Sequence, residues 1–258
     1  MVTTTGGTSY DANETVRRGR DMARRTYARL DPTGNDGLGR ARISVHGGDG
    51  SWFNRITRIT SVGIGGPKAT GPDGRLATLE ATLHELTHKW MDTRAAGIGL
   101  LYGGSPGRLS EGLSQVMAGS ALILEGDQLE RAHGWRVLDP RGQTARMDNL
   151  FRADTEVPLS VTMDDVARTG FTMSDMGLVH VHSGVIQEGH RLIAVGIGPE
   201  PMAQLTVDTA RASLTPVTGM RGWARATIQQ AERTFGPGAA QVDVVRNAWA
   251  ATKLLLPG

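Results

Sequence analysis

At 258 residues, 39% of them hydrophobic and 21% charged, the chain can bury a substantial core, which excludes a disordered protein. A net charge of +2 from 28 basic and 26 acidic side chains is weak ground for nucleic-acid binding; the pI near 9.3 reflects a titration curve left flat by the lack of Cys and the three Tyr, and no long basic run adds to it. The absence of cysteine excludes disulfides and thiolate metal sites, and no apolar run approaches the roughly 18 residues of a membrane helix.

Residues 1–9 are polar, lack the apolar stretch of a signal peptide and read as a disordered tail. A helix capped by Asn13 is predicted to run to Leu30, with Val16, Ala23, Tyr27 and Leu30 on one face and arginines on a solvated opposite face. A turn cluster at 31–39 leads to two strands, 41–46 through Ile43 and Val45 and 56–64 through Ile59 and Val62. A Gly/Pro loop over 63–74 then feeds a helix over 75–96, ended by Gly97 and Gly99. Ser105-Pro106 reads as the cap and first residue of a helix to about Ile123. The stretch 125–171 reads as loop with short pieces. Helices are expected again at 183–195, 202–214, 222–235 and 239–255, with Trp223, Ile228, Phe235, Val245 and Trp249 forming core. The outline is a short mixed α/β lobe (10–96) followed by a mostly helical lobe (97–258).

The 75–96 helix carries the chemistry. Leu79, Leu83, Leu86 and Trp90 recur at three- and four-residue intervals and give it a buried face. On that helix His84 and His88 lie one turn apart, so two imidazoles can aim at one point, which is half of a tetrahedral zinc site. Glu85, one step round from His84, can reach a water there as a general base. A third ligand must come from elsewhere, and the downstream carboxylates are Asp92, Glu111 and Asp175. Asp92 sits on the same straight helix, which cannot bring three successive turns round one metal. Glu111 is favoured, because its neighbours Leu109, Leu113 and Val116 form a stripe that can pack its helix on the first.

The sequence His84-Glu85-Leu86-Thr87-His88, the Leu101-Tyr102 ahead of Glu111, and Asp175-Met-Gly-Leu-Val-His180-Val-His-Ser-Gly184 together resemble the signatures of the thermolysin-like zinc metallopeptidases, the gluzincins. Arg42-Ile-Ser-Val-His46 resembles the edge strand before their active site, and Leu214-Thr-Pro with residues 223–235 resembles their last helices. The resemblance spans about residues 10–255. It implies a zincin-like α+β fold, with a small sheet in the first lobe, a mostly helical second lobe and the active-site helix between them. It further implies a metalloendopeptidase acting on a peptide or protein substrate. Zinc would be held by His84, His88 and Glu111, Glu85 would be the general base, and Tyr102 and His180 would stabilise the oxyanion. Asp175 would hold His180, and Arg136, beside Trp135, would bind a substrate carbonyl across a one-residue gap in the match. His182 reads as structural and Asp139 as a turn residue. A monomer without membrane or nucleic-acid partners is expected, and the family resemblance implies secretion.

Four departures from the family pattern stand out. The segment between His88 and Glu111 is longer than usual. Gln115 occupies the place of an aspartate that accepts a proton from a zinc-binding histidine, so Gln115→Asp is expected to tighten zinc by part of the 10- to 100-fold typical of such partners. The shortened stretch before Arg136 leaves Glu80, Glu125 and Asp127 as candidate remnants of a Ca2+ site. The chain is expected to lack the strand-rich front and pro-segment of larger relatives, and Trp135 is expected to narrow the pocket for the side chain after the cut. Two rival readings follow: a weak or inactive zinc-binding scaffold, or a specialised effector protease with one protein target.

Overall fold

Helix α1 (Ala12–Leu30) begins at Asp11, whose carboxylate accepts from the backbone N–H of Glu14, rather than at Asn13. Asn13 lies inside the first turn because the acceptor that reaches the free amides stands two residues earlier. The computed structural model describes residues 11–31, 33, 36–39, 41–47, 50–54, 56–64, 71–94, 100–147, 155–169 and 175–255. The expected tail and the Gly97/Gly99 helix end lie outside these residues. Val16, Ala23, Tyr27 and Leu30 are buried as their spacing requires. The opposite face is less passive than expected. Arg18 crosses to Glu130, Arg24 to Asp36, and Arg25 to Glu125.

Three strands follow. β1 (Arg42–His46) and β3 (Ile59–Gly63) pair in parallel, and β2 (Trp52–Asn54), absent from the sequence reading, pairs antiparallel with β3. The order β1-β3-β2 leaves β1 at one edge and β2 at the other. Three residues are too few for an alternation to register.

Helix α2 (Gly71–Arg94) starts four residues before the expected 75, since Pro72 is tolerated in a first turn where amides have no partner. Leu79, Leu83, Leu86 and Trp90 are all buried. Tyr27 of α1 stacks on Trp90 with ring centroids 4.7 Å apart, and its hydroxyl lies 2.7 Å from Thr87 Oγ1. Each such apolar side chain withdrawn from water is worth about 1.5–3 kcal/mol, so this face fixes the rotation of α2. That rotation decides where His84 and His88 point.

Helix α3 (Gly104–Glu125) packs across α2. Its cap position is Gly103; Ser105 lies within the helix and instead accepts the Met220 amide at 3.0 Å. The expected loop at 125–171 contains a full helix, α4 (Gln128–Leu138), opened by a reciprocal box between Asp127 and Glu130. It is followed by the hairpin of β4 (Thr144–Met147) with β5 (Thr155–Pro158), and by α5 (Met163–Thr169). The segment α6 (Asp175–His182) begins with four residues at positive φ, Asp175, Met176, Gly177 and Leu178, before it turns right-handed. Then come α7 (Gly184–Ile197), α8 (Pro199–Ser213), α9 (Met220–Phe235) and α10 (Ala240–Ala251). Trp223, Val245 and Trp249 are fully buried there, while Ile228 and Phe235 pack partly buried against them. One hydrophobic cluster runs from Met22 through Leu83 and Leu113 to Trp249, giving an α+β fold with a small sheet in front and helices behind. No helix among the described residues is long and apolar enough to cross a membrane.

Candidate active site

His84 and His88 present Nε2 atoms 3.1 Å apart from successive turns of α2. Glu111 enters from α3, with Oε2 3.1 Å from His84 Nε2 and Oε1 3.3 Å from His88 Nε2. The three ligand atoms lie within 4.8 Å of one another, whereas Asp92 and Asp175 are not part of the group. Two imidazole nitrogens and one carboxylate oxygen are a donor set that fits zinc and leaves a fourth tetrahedral position open. Both rings are held from behind: His84 Nδ1 lies 2.9 Å from Gln115 Oε1, and His88 Nδ1 lies 3.1 Å from Ser110 Oγ. Burial opposes charge on His84, but the bond and charge of Glu111 outweigh it and lift the ring to about 9. Glu111 is buried too, yet the facing histidines hold its carboxyl well below the usual range. The facing histidines therefore keep the Glu111 carboxylate ionised.

A second set of groups faces the first. The imidazole of His180 reaches to 3.4 Å from Glu111 Oε2, and the Tyr102 hydroxyl lies 3.3 Å from His180 Nε2. Asp175 clasps His180 twice, through Oδ1 at 2.6 Å from Nδ1 and Oδ2 at 2.9 Å from the backbone N. The left-handed turn between them makes this clasp possible by folding residue 175 back on residue 180. Burial disfavours the imidazolium, but the Asp175 bond and nearby carboxylates override it and raise the pKa of His180. Glu85 is buried and makes no hydrogen bond among the described residues, and burial pushes its pKa up. Burial, then the Glu111 charge, keeps the Tyr102 phenol protonated. His84, Glu85, His88, Glu111, Tyr102 and His180 line one cavity of about 510 Å3, whose far wall is β2.

The family description "Thermolysin metallopeptidase, alpha-helical domain" matches residues 98–254, more than half of the chain. The chain belongs to the thermolysin metallopeptidase family. That family is one of zinc metallopeptidases, so at family level this is a metalloprotease acting on peptides or proteins. The precursor of protealysin, a metalloproteinase from Serratia proteamaculans, is similar in structure with a TM-score of 0.71 and 20% sequence identity. The superposition covers 98% of this chain and 82% of that one, and at this identity it speaks for the fold. No curated protein matches in sequence.

Other residues of this thermolysin-family chain fall away from the cluster. Arg136 and Trp135 are exposed on α4 and line a separate cavity of about 670 Å3. That cavity meets a smaller one beside the cluster at Glu80, Gln143 and Thr144. Arg136 does not reach the His–His–Glu group; its carbonyl accepts from Gln143. Trp135 lines the same outer cavity, and the smaller cavity that adjoins it is lined by His84, Glu111 and His180. The calcium expectation is not supported. Glu125 pairs with Arg25, Asp127 caps α4, and Glu80 bonds to His133 and Gln115. Asp139 is a turn residue, accepting from the backbone and guanidinium of Arg141. His182 is buried, with Nε2 2.7 Å from Thr169 Oγ1.

Sequence reasoning missed three contributors. Ser110, beside Glu111 in sequence, is legible only once α3 is docked. The strand β2, not the β1 edge, walls the cavity, through Trp52, Phe53 and Asn54. Glu80 lies one turn before His84, a spacing already visible in the sequence, and it bonds the Gln115 side chain at 2.6 Å. A carboxylate therefore stands behind His84 after all, one amide removed, which changes the expected gain from Gln115→Asp.

Proposed function

We propose that the chain is a zinc-dependent endopeptidase that hydrolyses peptide bonds with Glu85 as general base. The observation that carries this reading is the convergence of His84, His88 and Glu111 opposite Tyr102 and His180 in one cavity. His84, His88 and Glu111 would hold zinc, which would supply Lewis-acid chemistry toward a water and the scissile carbonyl. Glu85 takes the proton from the attacking water and returns it to the leaving amine, a role suited to a carboxylate whose pKa is raised by burial. The oxyanion that forms on attack is met by the Tyr102 hydroxyl and the His180 imidazolium, donors already in place before the reaction. Asp175 keeps that imidazole oriented and favours its charged form. Edge strand β2 offers backbone groups to an extended substrate along the far wall.

In this reading residues 10–96 supply the histidines and the general base, and residues 97–258 supply Glu111, Tyr102 and His180. The cleft lies where the two lobes meet. A chelator is expected to abolish casein cleavage, and added zinc to restore it. Stoichiometric zinc with no casein cleavage would favour the inactive scaffold, and a single cut in a cell lysate would favour the effector protease.

A further inference from the structure

We propose that Glu80 is a positioning residue for the metal centre: through the amide of Gln115 it fixes the proton of His84 on Nδ1 and lends its negative charge to the back of that ring. Four side chains from three helices form the chain of contacts. His133 Nε2 of α4 lies 2.8 Å from Glu80 Oε2 on α2. Gln115 Nε2 on α3 donates to Glu80 Oε1 at 2.6 Å, and Gln115 Oε1 lies 2.9 Å from His84 Nδ1.

The chemistry of the groups dictates the direction. A primary amide carries both an acceptor and two donors, so alone it could accept from a protonated Nδ1 or donate to a bare one. The second choice would put the proton on Nε2, the atom that faces Glu111 and must ligate the metal. A carboxylate only accepts, so Glu80 claims the NH2 end of Gln115. The carbonyl is then left for His84, its proton goes to Nδ1, and the Nε2 lone pair is free to bind. His133 pins the other carboxylate oxygen. Glutamine thus does the work of the family's aspartate, provided Glu80 stands behind it.

This rests on the zinc reading above, and one experiment separates the two. Zinc dissociation constants are measured by chelator competition for the parent, Glu80→Gln, and the isosteric exchange Glu80→Gln/Gln115→Glu. The exchange keeps every atom position and moves the charge next to His84. Glu80→Gln is expected to weaken zinc by about tenfold, in the range for outer partners of ligating histidines, and the exchange to restore the parental constant. Equal constants for the parent and Glu80→Gln would overturn the inference, as would an exchange variant no tighter than Glu80→Gln. A parent that binds no zinc would instead defeat the zinc reading itself. Should Glu80→Gln fail to fold, the zinc-loaded parent still decides by nuclear magnetic resonance. Slowly exchanging, downfield side-chain amide protons on Gln115 are expected, and freely exchanging ones would overturn it.

Discussion

His190 is a buried imidazole that the site does not use. Its Nδ1 lies 2.8 Å from the Ile186 carbonyl, and the ring sits against Trp223 and Trp249. Burial pushes its pKa down to about 4. The native ring therefore stays neutral over a range in which the unfolded chain, titrating near 6.5, takes up a proton. Acidification from about 6.5 to 4 then favours unfolding, by up to ~3 kcal/mol for this ring. Urea midpoints across that range should fall steeply for the parent, and less steeply for His190→Leu. Identical slopes would mean that the ring is not held neutral. In the cavity, the proposed mechanism has Tyr102→Phe remove one donor to the developing oxyanion. A loss of about 10²- to 10³-fold in kcat with KM little changed is expected, whereas an effect confined to KM would assign the hydroxyl to ground-state binding.

Among elements, α3 does the most to assemble the site, because two glycines let its neighbours come close. A Cβ on Gly112 would sit 2.6 Å from Ile186 Cβ and 2.9 Å from the Ser183 carbonyl oxygen, and one on Gly107 would sit 2.8 Å from Val179 Cγ1. Through these contacts α6 and α7 lie against α3, and His180 reaches Glu111. Gly112→Ala should therefore cost about 1–3 kcal/mol of stability and weaken zinc, since Glu111 is the adjacent residue. A variant with parental melting temperature and zinc affinity would show that this approach is looser than it looks. The long amphipathic elements were legible in the sequence: the apolar spacing of α2 set the aim of both histidines, and the leucine stripe of α3 brought Glu111 to them. Helix α4 was not read from the sequence, although Asp127 and Glu130 form the capping spacing. Strand β2 was too short to show a period. The left-handed start of α6 has no sequence signal beyond Gly177, since Asp175, Met176 and Leu178 reach positive φ by virtue of what surrounds them.

At the scale of the whole molecule, one core joins the helix bearing His84, Glu85 and His88 to the elements bearing Glu111, Tyr102 and His180. Neither set alone lines the whole cavity. Gln115 looked in the sequence like a lost charge, because Glu80 is brought to it only by the docking of α3 on α2, a long-range event that motif spacing does not encode. The most direct test of the account measures zinc content and peptide cleavage side by side for the parent and Glu85→Gln. Stoichiometric zinc is predicted in both, with cleavage lowered about 10²- to 10⁴-fold in the variant alone, the span expected for removing a general base. A parent without zinc, or a variant that cleaves at the parental rate, would contradict it.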